Sequence, residues 1–132
     1  MKQKIKILFA ENEAMTAMWL CNHLKKFGYY VLMPVRSGKD AVKKADEENP
    51  DIIFMDIRLA GPMDGIEASQ EILMRHKIPI VFVTGFFSEA VMERAKKLNP
   101  AAYLVKPVEP QHIIDVIESL FPDQGGGRRT CP

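Results

Sequence analysis

Apolar residues along this chain fall into two alternating patterns. Short β-rich apolar runs at Lys4–Ala10, Tyr29–Met33, Asp51–Met55, Ile78–Val83 and Ala101–Val105 predict five strands. Longer stretches of helical period lie between them. The first helix is predicted over Ala14–Phe27, where Leu20, Leu24 and Phe27 share one face and Gly28 supplies the stop. The second starts behind Ser37 as N-cap, with Asp40 three residues on, and ends at Asn49-Pro50. The third covers Gly65–Arg75 behind Asp64, and the fourth covers Ser88–Leu98 ahead of Asn99-Pro100. The fifth starts at Pro110, with Ile113, Ile114, Ile117, Leu120 and Phe121 as its buried face and Pro122 as its stop.

The runs Ile52-Ile53-Phe54-Met55 and Ile80-Val81-Phe82-Val83 do not alternate with polar residues, which suits strands buried on both faces of a parallel sheet. Five β-α units with short connections imply right-handed crossovers and helices on both faces of that sheet, an α/β doubly wound architecture. A length of 132 residues suits one core. The tail after Phe121 is glycine-rich without an apolar face, so residues 4–121 are expected to form the domain and 122–132 a flexible tail or linker.

Charge narrows the function classes. With 18 Lys+Arg against 17 Asp+Glu, the net charge of +1 gives no global pull toward nucleic acid or an anionic membrane. Arg128-Arg129 is too short to make a nucleic-acid patch. The N-terminal apolar run is shorter than a signal-peptide core, and no run approaches the ~20 apolar residues of a membrane span. The expectation is a cytoplasmic protein without membrane or direct nucleic-acid contact, in which Cys21 and Cys131 are reduced thiols. The eight methionines are expected mainly as core filler. His23, His76 and His112 lack metal-ligand spacing and read as surface or helix-end residues.

In an open α/β sheet, ligands bind outside the carboxyl ends of the strands. There the chain places Glu11-Asn12-Glu13, Asp56, Thr84-Gly85 and Lys106-Pro107. Carboxylates gathered at one edge repel by about 4 kcal/mol per pair at ~4 Å and an effective dielectric near 20, so a cation must offset them. Mg²⁺ suits a site of a few carboxylates that leaves room for waters and phosphate oxygens. Lys106 can hold a phosphoryl oxygen as a point charge, and Thr84 offers a hydroxyl donor. The set is suited to an aspartate that becomes phosphorylated. Glu13 reads as a first-turn residue of the first helix.

The string Ile5-Lys-Ile-Leu-Phe-Ala-Glu-Asn-Glu13, then Asp51-Ile-Ile-Phe-Met-Asp56-Ile-Arg-Leu59 with Met63-Asp64-Gly65, then Val83-Thr84-Gly85, then Tyr103-Leu-Val-Lys106-Pro107, resembles the response-regulator receiver domain of two-component signalling over roughly Lys4 to Phe121. The resemblance implies a flavodoxin-like (βα)5 fold with strand order 2-1-3-4-5. It implies Asp56 as phospho-acceptor, taking a phosphoryl group from a sensor histidine kinase, a phosphotransfer protein or a small donor, and catalysing only its own phosphorylation and dephosphorylation. Mg²⁺ would be held by Glu11, Asn12, Asp56 and the main-chain carbonyl of Arg58. Thr84 and Lys106 would bind the phosphoryl group, Lys106-Pro107 would be cis, and Tyr103 would swing inward with Thr84. The face of the fourth helix, fifth strand and fifth helix would then signal to a downstream output protein or domain, and could also pair two copies as a homodimer.

Two departures stand out. Asn12 takes the place of the family's usual second acid, which should weaken Mg²⁺ binding and keeps open a degenerate receiver that docks without phosphorylation. The loop from Leu59 to Gly65 is longer than in the commonest receivers and resembles a subgroup attached to sensor kinases, so both a stand-alone regulator and a piece of a hybrid protein remain open. An aspartyl-nucleophile phosphatase would want an acid where Arg58 stands. A flavin module would want a Ser/Thr/Gly-rich loop where Glu11-Asn12-Glu13 stands. Trp19, the only indole, is placed in the first helix away from the metal, while Phe87 and Val91 are read as either core or partner contacts.

Overall fold

A computed structural model describes residues 4–85 and 88–122. Phe87 and the tail beyond Pro122, with Arg128, Arg129 and Cys131, fall outside the described residues. The elements alternate as β1 (Lys6–Ala10), α1 (Ala14–Lys26), β2 (Tyr30–Val31), α2 (Gly38–Glu48), β3 (Ile52–Asp56), α3 (Gly65–Arg75), β4 (Ile80–Thr84), α4 (Glu89–Lys96), β5 (Ala102–Val105) and α5 (Pro110–Leu120). The five strands form one sheet in the order β2-β1-β3-β4-β5, with all pairs parallel. This is the expected doubly wound, flavodoxin-like topology.

Side-chain alternation explains the unbroken apolar runs. Ile7, Phe9, Ile52, Phe54, Val81 and Val83 point to one face, where Leu20 and Leu24 of α1 and Ile113 and Ile117 of α5 cover them. Leu8, Ala10, Ile53, Met55, Ile80 and Phe82 point to the other, under Ala41 and Ala45 of α2, Ile66 and Ile72 of α3, and Ala95 of α4. Both faces are buried, so every position of β3 and β4 must be apolar until the strand leaves the core. Fully burying a single Ile or Phe is worth about 1.5–3 kcal/mol. A one-residue slip in register would exchange the two core sets, so the strand ends are tightly fixed.

Helix starts follow local chemistry. Ser37 accepts from the Asp40 amide at 3.0 Å, and Ser88 accepts from the Val91 amide at 3.2 Å. Asp64 and Glu67 form a reciprocal capping box at 2.8 and 2.9 Å ahead of α3. Gly28, at φ 108°, turns the chain out of α1.

The differences from expectation are local. β2 shrinks to Tyr30–Val31 because Pro34 has no amide to donate; the chain then follows β1 through single bonds from Leu32 to Ile7 and from Val35 to Phe9. α4 stops at Lys96, where the Leu98 and Asn99 amides turn back to Ala95 and Lys96 and Asn99 takes φ 52°. Glu13 is the N-cap of α1 rather than a first-turn residue. Leu120 and Phe121 are half-buried at the core's margin, and Val91 packs partly buried against the α2–α4 side.

The methionines are mostly not core filler. Among the described residues Met55 alone is a buried methionine; Met15 (87% exposed) and Met74 (78%) face solvent because the inward positions of α1 and α3 are taken by Ala17, Leu20, Leu24, Ile66 and Ile72, and Met33 (68%) faces solvent in the β2–α2 connection. Cys21 is buried, and that burial pushes its thiol up to about 11. His76 closes α3 and pairs with Asp46 at 2.7 Å, so it is a helix-end residue as expected.

One glycine ties α3 to the end of β3. The Gly65 amide donates to the Ile57 carbonyl at 2.8 Å, and a Cβ at this position would run into the main-chain carbonyl oxygen of Asp56. Gly65→Ala should therefore destabilise the fold by about 1–3 kcal/mol in urea denaturation. Unchanged stability would mean that α3 does not hold the end of β3.

Candidate functional site

β1, β3 and β5 bring three charged side chains to one point on the sheet's carboxyl edge. β1 runs into Glu11, β3 ends in Asp56, and β5 is followed by Lys106. Glu11 and Asp56 are 6% and 4% exposed, a rare state for carboxylates. Lys106 Nζ lies 2.8 Å from Asp56 Oδ2 and 2.9 Å from Glu11 Oε1, bridging both. The other oxygens are also engaged: the Arg58 amide donates to Asp56 Oδ1 at 3.2 Å, and the Glu13 amide donates to Glu11 Oε2 at 2.9 Å.

The remaining expected residues surround this triad. Thr84 closes β4 and is 2% exposed, and its carbonyl accepts from the Lys106 amide at 3.1 Å. The Lys106–Pro107 peptide bond is cis. Asn12 is exposed, and its carbonyl accepts from Arg36 Nε at 3.1 Å. Tyr103 is half-buried, with its ring stacked on Phe82 at 6.3 Å between centroids. Glu11, Asp56 and Lys106 thus touch, Thr84 adjoins them through Lys106, and Tyr103 lies farther back along β5.

Two buried carboxylates face one part-buried ammonium group at the mouth of a cleft. Burial, above all, pushes the Asp56 carboxyl above its ordinary value; the Lys106 hydrogen bond pulls it down, and the Glu11 charge pushes it up again. Burial works against the Lys106 charge as well, but its hydrogen bonds to Asp56 and Glu11 outweigh this and leave its pKa raised. The surplus negative charge rests on the carboxylates.

That surplus fits a hard cation. Among the described residues no three His, Cys, Asp or Glu side chains gather as a metal cluster, so the donors here would be two carboxylates with neutral oxygens. Asn12 and the Arg58 carbonyl are placed in sequence to add those. A few oxygens with coordination left open for water and phosphate oxygens suit Mg²⁺.

A cleft of about 520 Å³ opens beside the triad, with the N-cap Glu13 and Thr16 and Trp19 of α1 on one side and Pro107 and Glu109 on the other. Trp19, 44% exposed, lines this cleft together with Glu11 and Lys106. The spacing Glu13, Thr16, Leu20 marks this face of α1 and is the signal that could have located it.

The fold and site define a flavodoxin-like, doubly wound α/β domain with two buried carboxylates at the carboxyl edge of its sheet, and the comparisons make the class specific. The model of the response regulator receiver domain matches residues 7–118, and the chain belongs to that family. Among its relatives, the transcriptional regulatory protein PdtaR of Mycobacterium tuberculosis is 36% identical over 86% of this chain and 55% of its own length. The phyllosphere-induced regulator PhyR of Methylorubrum extorquens is 31% identical over 95% of this chain and 47% of its own. The chain therefore spans about half the length of these relatives, whereas it spans 96% of the chemotaxis protein CheY of Thermotoga maritima, at 28% identity over 87% of this chain. Among solved structures, the signal receiver domain of a modulated diguanylate cyclase from Desulfovibrio desulfuricans G20 superposes with a TM-score of 0.82 at 33% identity, over 89% of this chain and 93% of that one.

Residues 7–118 are thus a receiver domain of two-component systems, a family of signalling domains rather than classical enzymes. Receiver domains generally use Mg²⁺ at their phosphorylation site and work between kinases and output domains. No helix among the described residues is long and apolar enough to cross a membrane.

The buried triad gives two expected outcomes. A carboxyl with a folded-state pKa above its unfolded value opposes folding when ionised, and this penalty vanishes once pH falls below the ordinary carboxylate range. In EDTA, Asp56→Asn should therefore melt above the wild type at neutral pH, and the gain should fade on acidification. Lys106→Met should cost about 3 kcal/mol by leaving two buried carboxylates unpaired, with Asp56→Asn recovering part of the loss. A neutral effect of Lys106→Met would contradict the shared ion pair.

Proposed function

We propose that Asp56 is the phospho-acceptor of a two-component receiver unit spanning residues 4–121, and that the observation behind this reading is the buried Glu11–Lys106–Asp56 triad at the strand ends. Glu11, Asp56, Asn12 and the Arg58 carbonyl would hold Mg²⁺, which would supply positive charge for the entering phosphoryl group. An Asp56 oxygen attacks phosphorus in line, the Oδ–P bond forms, and the bond from phosphorus to the donor breaks, with its electron pair leaving on the donor. The donor is a sensor histidine kinase, a phosphotransfer protein or a small phosphodonor.

Lys106 is already placed against Asp56, so it passes from carboxylate to phosphoryl oxygen without a large movement. Thr84, at the end of the neighbouring strand, donates its hydroxyl to another phosphoryl oxygen. Positioning and electrostatics supply most of the acceleration in such a transfer. The phosphoryl group brings about −1.5 to −2 charges and new acceptor oxygens to the site. The contacts that Thr84 and Lys106 make with it bias Tyr103 and the α4–β5–α5 face toward a second state, read by an output protein or domain or by a second copy of the chain.

Intact mass after incubation with acetyl phosphate tests this reading. A phosphoryl adduct is expected only with Mg²⁺, and it should be absent in Asp56→Ala. An adduct that persists in Asp56→Ala would overturn the assignment.

Asn12 supports a second reading, a receiver that docks without phosphorylation. An amide there keeps an oxygen donor but removes a charge, so Asn12→Asp is expected to tighten Mg²⁺ binding in calorimetry. Equal affinities would remove Asn12 from the metal site. An adduct seen only in Asn12→Asp would favour the docking module.

A further inference from the structure

Arg36, in the connection between β2 and α2, bonds at once to the turn after β1 and to the segment after β3. Its Nε donates to the Asn12 carbonyl at 3.1 Å, and its own carbonyl accepts from the Ala60 amide at 2.9 Å. The preceding residue, Val35, accepts from the Glu11 amide at 2.9 Å and donates to the Phe9 carbonyl at 3.0 Å. Arg36 is exposed, and among the described residues it makes no ion pair. Its guanidinium is directed instead at a main-chain carbonyl.

That carbonyl belongs to the peptide group joining Asn12 to Glu13, and the N–H of the same group donates to Glu11 Oε2 at 2.9 Å. One peptide plane is therefore held at both ends, by a cation on its carbonyl and by a buried carboxylate on its amide. A donor on the carbonyl polarises the group and strengthens the bond that its N–H makes, and bonds to ionised groups are the strong ones. Glu11 in turn meets Lys106, and Lys106 meets Asp56. An exposed arginine thus reaches the buried triad through a chain of direct hydrogen bonds, while its main chain anchors Ala60, two residues beyond Arg58.

We propose that Arg36 is a positioning residue for the cation site: it fixes the Asn12–Glu13 peptide plane and, through it, the Glu11 carboxylate, and it ties that turn to the segment carrying the Arg58 carbonyl. The proposal rests on the reading of this edge as the Mg²⁺ and phospho-acceptor site. Arginine suits the task because Nε lies in a rigid planar fork, whereas a lysine ammonium is a rotating point charge on a flexible stem. Charge alone would act in the opposite direction, since a cation near a Mg²⁺ site repels the metal.

Those opposed signs supply the test. Mg²⁺ affinity by calorimetry, and the Glu13 amide proton by NMR in EDTA, are measured on the full chain as wild type, Arg36→Ala and Arg36→Lys. Arg36→Ala should weaken Mg²⁺ binding about three- to ten-fold, the value of one hydrogen bond, and should move the Glu13 amide upfield as its bond to Glu11 weakens. Arg36→Lys keeps the charge and a donor, so it should fall between. The side chain removed is exposed, so the urea midpoint of Arg36→Ala in EDTA should stay close to that of the wild type. Unchanged or tighter Mg²⁺ binding in Arg36→Ala, or a Glu13 amide that does not move, would overturn the positioning role. A Glu13 amide that moves as expected in a protein whose wild type binds no Mg²⁺ would support the hold on Glu11 and overturn the reading of the edge as a metal site.

Discussion

One ammonium group shared by two buried carboxylates is the constraint around which this domain is arranged. Lys106 reaches Glu11 and Asp56 at under 3 Å each, and all three arrive from different strands. Breaking a buried ion pair by removing one partner typically costs 3–5 kcal/mol, a large part of the stability of a domain this size. The two carboxylates are held by main-chain donors as well, Asp56 by the Arg58 amide and Glu11 by the Glu13 amide. The arrangement is also incomplete, since one positive charge cannot balance two negative ones, and this deficit makes the edge receptive to a cation.

The fold delivers that convergence through its doubly buried sheet. With Ile53, Phe54 and Met55 of β3 locked between two helical layers, Asp56 is the first residue able to be polar, and it emerges at a fixed height. Gly65 then lets α3 pack directly on the Asp56 main chain, and the Asp64–Glu67 capping box fixes where that helix begins. An ion pair at 3.0 Å from Arg94 of α4 to the same Asp64 links a second helix to this end of the sheet. An exposed pair of this kind is worth little in stability, and its effect is to orient.

Much of this was legible in the sequence because its causes are local. Unbroken apolar runs located β3 and β4, since only strands covered on both sides need them, and Ser37, Asp64 and Pro110 marked helix starts through capping chemistry. The residues at the strand ends followed from the sheet's direction. What was not legible depends on three-dimensional packing. Met15, Met33 and Met74 have core-like side chains but fall on outward positions, and Glu13 is a cap because Glu11 draws its amide inward at 2.9 Å. The lysine bridge itself could not be read from spacing, since Lys106 and Glu11 are 95 positions apart. The cleft that Trp19 shares with Lys106 and Pro107 likewise depends on where α1 lies beside the loop that follows β5.

The central claim is that this edge holds more negative charge than Lys106 can neutralise. Carboxyl ¹³C NMR titration of Asp56, in EDTA and then with saturating Mg²⁺, measures that most directly. The account requires Asp56 to titrate above the ordinary carboxylate range without metal and to fall markedly when Mg²⁺ is present. Titration at or below the ordinary value in EDTA, or no response to Mg²⁺, would contradict it.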